Sequence, residues 1–438
     1  MLKHSLKDLS LGIQHVLAMY AGAVVVPLIV GSAIGLTGAQ LTYLVAIDIF
    51  MCGIATFLQV WKNRFFGIGL PVVLGCTFTA VGPMIAIGTE YGVSSIYGAI
   101  LMSGLIVILI SSIFGKLVRF FPPVVTGSVV TIIGITLIPV AMNNMAGGEG
   151  SVDFGSTENL LLAFGVLILI ILLNRFFTGF IRAISILIGI IAGTVAAGLM
   201  GMVDLQPVSE ASWFNIGKPF YFGTPTFELA PILTMTIVAI VSMVESTGVY
   251  FALSDICKKK IDEKDLARGY RAEGIAYMLG AIFNAFPYTA FSQNVGLVQM
   301  SGIKTNRVIY ITAAMLVGLG LVPKIAALAT IIPSSVLGGA MVAMFGMVVA
   351  YGIKMLGQVS FASQENLLIV ACSVGLGLGV TVVPEIFAGL PESVKILTNS
   401  GIVAGSVTAI LLNIIFNIIP SSQKQKQEQE AVLQSQAS

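Results

Sequence analysis

One stretch of sequence decides the fold: residues 286–305, FPYTAFSQNVGLVQMSGIKT. It stands where a membrane-spanning helix is expected, yet Pro287 breaks the helix and the four residues after it are compatible with an extended strand. Polar side chains then follow at Ser292, Gln293 and Asn294, where an uninterrupted span would be apolar. Non-helical backbone at membrane depth is tolerated only where it is buried in protein or lines a cavity. The stretch is therefore typical of a binding site at the broken span of a transporter.

The composition predicts an integral membrane protein. Of 438 residues, 57% are hydrophobic and 10% are charged, whereas soluble chains carry about 25% charged residues. The four cysteines are scattered without a CxxC pair, so we expect no metal site, no cofactor and no disulfide framework. No HExxH motif, nucleophile elbow or P-loop is present. We therefore expect neither an enzyme nor a nucleic-acid-binding protein.

The apolar blocks predict fourteen spans. They lie at residues 11–31, 41–60, 67–88, 96–114, 122–141, 159–173, 183–202, 230–254, 272–284, 287–302, 307–326, 332–351, 364–382 and 401–420. With a cytoplasmic N-terminus, all of the 22 basic residues except Lys218, Lys324 and Lys395 fall on the inside, as the positive-inside rule requires. We therefore predict a multi-pass protein of the cell membrane with both termini cytoplasmic. The polar tail, residues 421–438, is predicted to be a disordered cytoplasmic segment.

A weak internal repeat indicates the architecture. Pro71 precedes Thr77 by six residues as Pro287 precedes Gln293, and a second pair of proline-glycine motifs, at 122–127 and 333–338, repeats at nearly the same separation. Two halves of seven spans must cross the membrane in opposite senses, because seven is odd. The sequence thus predicts an all-α polytopic membrane protein built as a 7+7 inverted repeat, whose third and tenth spans are broken.

The two breaks are expected to meet. If residues 72–76 and 288–292 are both extended, they can pair as short antiparallel strands and satisfy each other's backbone groups. Thr77 and Ser292 would then lie near the N-termini of the half-helices that follow. Free N–H groups and partial positive charge at these termini favour an acceptor-rich ligand.

Glu245 is the sharpest single candidate. It lies 14 residues after Pro231 and 13 before Lys258, so it is roughly 20 Å from either end of its helix, near the membrane midplane. An ionisable group at that depth is a functional candidate that can gain and lose a proton in a transport cycle. The alternative is a neutral carboxyl group that only bonds within the bundle. Asp48, alone in the second span, has no partner that the sequence identifies.

Three further residues have two interpretations each. His15 in the first span either relays a proton or braces Glu245, or else it is a structural histidine bonding across helices. Glu273 either pairs with Arg271 or Lys304 as a gate, or it is a plain boundary charge. Phe78 either stacks on a flat ring or belongs to the core.

These residues resemble the nucleobase–ascorbate transporter family, whose signature is Q/E-N-x-G-x-x-x-x-T. Residues 293–301, QNVGLVQMS, match it except for Ser301, which keeps the hydroxyl. QHVLAMYAG around His15 and ESTG at Glu245 are also similar to family motifs. Nearly the whole chain is covered by the resemblance. The chain departs from the family pattern at Val249, where many members carry Asp or His. Because valine cannot bind a proton, His15 or Glu273 becomes the candidate for the proton path.

The resemblance implies a substrate site and a mechanism. Glu245 and Gln293 would bind the nucleobase, with backbone contacts at Ser292 and Phe78, and with Thr77 and Asn294 beside them. It also implies a core domain, residues 1–120 and 230–328, that moves against a gate domain, residues 121–229 and 329–420, in a homodimer. Family members with glutamine at the position of Gln293 look like xanthine or urate permeases. The chain resembles the bacterial xanthine permeases most.

The resemblance therefore implies proton-coupled uptake of xanthine by alternating access. A urate or uracil permease is the alternative within the family. Anion exchangers and channel-like proteins of the same fold are the alternative outside it, but they need no embedded carboxylate.

Overall fold

The computed structural model describes residues 2–117, 121–302, 304–391, 395 and 400–419. The predicted disordered tail, residues 421–438, lies outside the described residues. The α-helices, numbered in chain order, are α1 Leu2–Ala33, α2 Gly38–Val60, α3 Val81–Glu90, α4 Val93–Leu117, α5 Pro123–Met145, α6 Thr157–Phe176, α7 Gly179–Ala183, α8 Ser185–Leu199, α9 Gln206–Glu210, α10 Leu229–Cys257, α11 Glu263–Phe283, α12 Ser292–Ser301, α13 Asn306–Gly320, α14 Pro323–Thr330, α15 Ser334–Leu356, α16 Gln364–Val382 and α17 Gly401–Asn413. Short helical turns lie at Phe78–Ala80, Pro384–Phe387 and Ile414–Ile418, and the strands are β1 Leu74–Cys76 and β2 Tyr288–Ala290.

The helices are those of a multi-pass membrane protein. Within the described residues, nine helices are long and apolar enough to cross a membrane, and the pair α13 and α14, bent by 79°, makes a tenth candidate. In the predicted third and tenth spans the α-helices are the 10-residue half-helices α3 and α12. The membrane protein class is thus confirmed, whereas the count of fourteen and the inverted repeat stay predictions.

Both helix breaks lie at paired strands. β1 and β2 are antiparallel, with Leu74 opposite Ala290 and Cys76 opposite Tyr288. Backbone bonds from Thr77 N to Pro287 O (2.9 Å) and from Phe291 N to Val73 O (3.0 Å) extend the pairing past both ends. Each strand has three residues, fewer than the five expected. The backbone groups that the breaks free are thus bonded within the protein, as membrane depth requires.

Glycine makes the close approach of the two breaks possible. A Cβ atom at Gly75 would lie 2.5 Å from the ring of Phe291, closer than any side chain tolerates. Gly22 of α1 faces the same ring, where a Cβ atom would lie at 3.0 Å. Small residues at these two positions let α1 and the strand pair close around Phe291.

The described residues fall into two compact units. The first comprises those within Met1–Gly115 and Leu137–Gly346, and the second those within Lys116–Thr136 and Met347–Ser438. In the first unit α2 packs against α1, α11, α13 and α14, and in the second α16 packs against α17. The predicted core and gate division concerns relative motion and stays a prediction.

Candidate functional site

Glu245 lies in the middle of α10 and is partly exposed. Its carboxyl group interacts with the side-chain hydroxyls of Thr289 on β2 and Thr79 on the turn that follows β1. The carboxyl group is thus held between the two broken spans. It keeps free capacity for a ligand, because a carboxyl group has room for more than two hydrogen bonds.

Hydroxyl groups surround this carboxyl group. The hydroxyl of Thr77 lies 2.7 Å from that of Thr79 and 3.4 Å from that of Ser242 on α10. Ser246 Oγ lies 3.2 Å from Thr289 Oγ1 and accepts a bond from the backbone N–H of Ala290 at 3.1 Å. Thr77, Thr79, Ser242, Ser246 and Thr289 therefore form a hydroxyl cluster around Glu245. Such groups can donate or accept, so the cluster suits either protonation state of the acid.

The N-terminus of α12 is open. Phe291 is its N-cap residue and contributes no side-chain bond to the first turn. Ser292 and Gln293, the first two residues of the helix, are exposed. First-turn N–H groups of a helix have no intrahelical partner, and they attract acceptor atoms. This end of α12 thus offers backbone donors together with the exposed amide of Gln293.

Aromatic rings border the first break. Phe78 is partly exposed, and its ring meets that of the buried Phe345 edge to face, with centroids 5.5 Å apart. This contact leaves one face of the Phe78 ring without a stacking partner among the described ring pairs. Phe345 was missed in the sequence, because an aromatic residue in an apolar span carries no distinguishing signal.

Asn294 and His15 bind each other rather than Glu245. Asn294 Nδ2 donates to the backbone oxygen of His15 (3.1 Å) and contacts His15 Nδ1 (3.0 Å). Because the bond to a carbonyl oxygen identifies Nδ2 as the donor, Nδ1 must accept and the ring proton lies on Nε2. Both residues are buried. Of the two interpretations of His15, the contacts favour a structural histidine that ties α1 to α12.

Glu273 has other contacts than the ion pairs expected from the sequence. Among the described residues, no ion pair joins it to Arg271 or Lys304. Residues 271 and 273 are two apart on α11 and point to different sides of the helix, so Arg271 instead reaches Ser111 and Ser112. Glu273 is buried, so it is not a boundary charge either.

A polar chain, missed in the sequence, holds Glu273. Tyr250 donates to Glu273 Oε1, and Gln59 Nε2 of α2 donates to the Tyr250 hydroxyl. All three side chains are buried. Gln59 and Tyr250 lie 191 residues apart, so no local pattern could have joined them.

Asp48 has a partner that the sequence did not identify. Its Oδ1 accepts the backbone N–H of Phe286 at 2.7 Å, directly before the second break. Asp48 is fully buried on α2. This hydrogen bond anchors the start of the second broken span. Asp48 is therefore not a member of the hydroxyl cluster around Glu245.

Comparisons with known proteins agree on one family. A family model described as Permease family, Xan_ur_permease, matches residues 6–386. A xanthine permease of Bacillus subtilis is 70% identical over 431 residues, 98% of either chain. The uric acid permease PucK of the same organism is 66% identical over 413 residues, 94% of this chain and 96% of that one.

A solved structure supports the fold. The transmembrane domain of the cyanobacterial bicarbonate transporter BicA superimposes with a TM-score of 0.64 at 19% identity, and the match covers 86% of this chain and 96% of that one. At that identity the likeness is one of fold alone. The match of the family model and the two permeases carries the assignment, which agrees with the motifs around His15, Glu245 and Gln293. The chain therefore belongs to the nucleobase–ascorbate transporter family of xanthine and uric acid permeases.

Proposed function

We propose that this protein carries xanthine into the cell together with protons, by alternating access. The observation that carries the proposal is the meeting of three features at the paired breaks. They are the partly exposed carboxyl group of Glu245, the exposed amide of Gln293 and the open N-terminus of α12. A purine presents ring N–H donors and carbonyl acceptors along its edge, and these features supply complementary groups.

Gln293 is the residue that reads the base. An amide offers a donor and an acceptor together, and this matches a paired N–H and C=O edge of a purine. Phe78 supplies an apolar face on which a flat ring can stack. The backbone N–H groups of Phe78 and Ser292 follow the first and the second break, which the strand pair brings together. Thr77 and Asn294 act indirectly in this proposal, because Thr77 bonds other hydroxyls and Asn294 bonds His15.

Glu245 couples transport to protons. A carboxyl group that accepts bonds from a ligand N–H when ionised can donate to a ligand carbonyl when protonated, so ligand affinity and proton affinity depend on each other. Binding of a proton therefore favours the state of the protein that binds xanthine, and binding of xanthine favours the protonated state. The proton gradient across the bilayer then supplies the energy for uptake, without a cofactor or covalent chemistry.

The proposal includes the assembly and its motion. Residues 1–120 and 230–328 act as the core domain, and residues 121–229 and 329–420 as the gate domain, in a homodimer. Both termini lie in the cytoplasm. Substrate would meet the site at the breaks from alternate sides of the membrane.

Urate is the second candidate substrate. A relative named uric acid permease is 66% identical over nearly the whole chain, close to the value for the relative named xanthine permease. Urate differs from xanthine by one added carbonyl group on the ring, so the same amide could read either base.

A competition assay tests the substrate. Cells that lack endogenous purine uptake express the protein, and uptake of labelled xanthine is measured against unlabelled xanthine, urate, hypoxanthine, guanine and uracil. We expect xanthine to compete best, urate second, and uracil least. A profile led by urate would select the second candidate, and the absence of saturable uptake of either base would reject both.

A further inference from the structure

The hydroxyl cluster joins two carboxyl groups. Glu245 interacts with Thr289, the Thr289 hydroxyl lies 3.2 Å from Ser246 Oγ, and the Ser246 hydroxyl interacts with the carboxyl group of Glu273. Glu273 is 1% exposed, and Thr289 and Ser246 are buried as well. A row of side-chain hydroxyls thus runs from the acid of the site to a second acid inside the protein.

The far end of this row has an open acceptor. Oε1 of Glu273 takes the bond from Tyr250, while Oε2 is buried and has no hydrogen-bond partner of ordinary geometry. The Tyr250 hydroxyl donates to Glu273 Oε1 and accepts a bond from Gln59 Nε2, so Tyr250 is already engaged with the other oxygen of this carboxyl group. Oε2 therefore remains the oxygen that Ser246 can serve when its hydroxyl turns toward it.

We propose that Thr289 and Ser246 pass the coupling proton between Glu245 and Glu273. This inference rests on the proposed proton coupling and names the residues that carry it. When Glu245 is protonated and Glu273 ionised, Glu245 gives its proton to Thr289 Oγ1, Thr289 gives its own to Ser246 Oγ, and Ser246 gives its own to Glu273 Oε2. Each hydroxyl gains one proton and loses one, so the net result is one proton moved.

The hydrogen-bond capacity of Ser246 permits both directions. A hydroxyl donates once and accepts twice. In the step toward Glu273, Ser246 accepts from Thr289 and from the Ala290 N–H, and it donates to Glu273. In the reverse step it accepts from Glu273 and from the same N–H, and it donates to Thr289. Neither step leaves the strand amide without its acceptor.

Other titratable groups around Glu273 are engaged elsewhere. Tyr277 donates to the backbone oxygen of Tyr288 at 2.9 Å, and Tyr270 pairs with Thr247, whose hydroxyl donates to Met243 O. One turn after Glu245, the buried Val249 offers no proton-binding group. His15 Nδ1 is held by Asn294. Within the described residues, the route through Thr289 and Ser246 is thus the one that the contacts support.

The test compares two variants that remove one hydroxyl each. Thr289→Val keeps the shape of the side chain and removes a hydroxyl that does not hold the strand, whereas Ser246→Ala also removes the acceptor of the Ala290 N–H. Thr289→Ser and Ser246→Thr keep the hydroxyl and should restore function. Thr234→Val is the matched control, because the buried hydroxyl of Thr234 lies on the same helix as Ser246 and, in the part of the chain that the structure describes, bonds only Ala230 O.

Two readouts in proteoliposomes separate relay from binding. Exchange of internal for external xanthine needs no net proton movement, whereas accumulation driven by a proton gradient does. We expect Thr289→Val and Ser246→Ala to lower the rate of proton-driven accumulation about 100-fold more than they lower the rate of exchange, which is the lower end of the effect of a positioned proton transfer. Thr234→Val, Thr289→Ser and Ser246→Thr should accumulate as the wild type does.

The outcomes are distinguishable. If the wild type does not couple xanthine to protons, the proposed function itself fails. If the wild type couples and Thr289→Val accumulates normally, the relay is wrong and the proposed function stands. If Thr289→Val loses exchange together with accumulation at normal abundance, its hydroxyl serves the ligand and the relay is again wrong. If Ser246→Ala does not fold, Thr289→Val alone tests the relay.

Discussion

At the scale of single residues, we propose that substrate choice depends on the amide of Gln293, since it is exposed at the start of α12 while its neighbour Asn294 is buried against His15. Successive residues of a helix point about 100° apart, so one faces the open end of the break and the other faces α1. We therefore expect the two adjacent polar residues to differ in role, with Gln293 contacting the ligand and Asn294 stabilising the structure.

Replacing Gln293 should alter recognition. Gln293→Ala leaves ligand groups unpaired at a cost of about 1–3 kcal/mol, so the apparent affinity for xanthine should fall about 5- to 150-fold. Gln293→Glu should impair xanthine uptake severely while the new acid is ionised, because a carboxylate only accepts, and less while it is protonated. The measurement is xanthine uptake with purine competitors as a function of external pH.

Asn294→Ala is the comparison for that experiment. It leaves His15 Nδ1 without its donor, so abundance and thermal stability should fall while the competition profile of the remaining protein stays that of the wild type. A wild-type profile in Gln293→Glu at normal abundance would instead show that Gln293 does not read the base.

At the scale of elements, the strand pair fixes the site, because Thr77, Thr289 and the start of α12 all depend on its register. The close packing of Gly75 against Phe291 keeps that register. Gly75→Ala should therefore destabilise the protein by about 1–3 kcal/mol through overpacking and lower xanthine uptake. Thermal unfolding in detergent measures the effect.

Gly82→Ala is the matched control, since a Cβ atom there has open space within α3. It should leave thermal stability and uptake unchanged. Adding Phe291→Leu to Gly75→Ala should recover part of the loss, because it removes the ring atoms that the new methyl group meets. Equal stability of Gly75→Ala and Gly82→Ala would contradict the packing described for the break.

The start of α11 is tied to the end of α2 through Asp265. This carboxyl group accepts from Lys62 and from Arg268 and lies in the first turn of its helix. Partial burial by itself raises the pKa of Asp265, but the hydrogen bonds from Lys62 and Arg268 outweigh that effect and hold the pKa below its usual value. The ion pairs therefore stabilise the folded protein while Asp265 is ionised.

Asp265→Asn keeps the acceptor oxygen and removes the charge, so it should lower stability by about 1–3 kcal/mol at neutral pH. Because the folded pKa is lowered, the contribution is fully present above the unfolded value near 4, and it is lost as pH falls through the folded value. The melting temperatures of variant and wild type should thus differ equally at pH 7 and pH 5.5 and converge in stronger acid. Glu263→Gln, an exposed acid in the same turn, controls for helix-end charge; a difference that stays constant into strong acid would contradict the ion-pair explanation.

Sequence patterns identified the features that interrupt an apolar helix, namely its breaks and its isolated charged residues. Pro287 and the polar residues after it marked the second break, and a lone acid in an apolar helix marked Glu245. Partners distant in sequence could not be identified in this way: Asn294 and His15 are 279 residues apart, and Phe286 and Asp48 are 238 apart. The partners of Glu273 were missed for the same reason, because its donor Tyr250 lies on α10 and Gln59, which donates to Tyr250, lies on α2.

At the scale of the whole molecule, orientation in the membrane rests on the distribution of basic residues. The predicted outside loops contain Gly148 and Ser209, and the main predicted inside loop contains Lys259. A cysteine introduced at position 148 or 209 should react with an impermeant thiol reagent added to intact cells, and one at position 259 should not. Replacing Cys52, Cys76, Cys257 and Cys372 first removes background labelling. Labelling of position 259 from outside would reverse the orientation.

The central claim is that xanthine moves with protons through a site built on Glu245. The measurement is accumulation of labelled xanthine in proteoliposomes of wild type and Glu245→Gln, with an inward proton gradient, with and without a protonophore. Wild-type protein should concentrate xanthine above the external level, and the protonophore should abolish that accumulation. Glu245→Gln, which cannot exchange a proton at this position, should not concentrate xanthine. Undiminished accumulation by Glu245→Gln, or accumulation by the wild type that ignores the proton gradient, would contradict the claim.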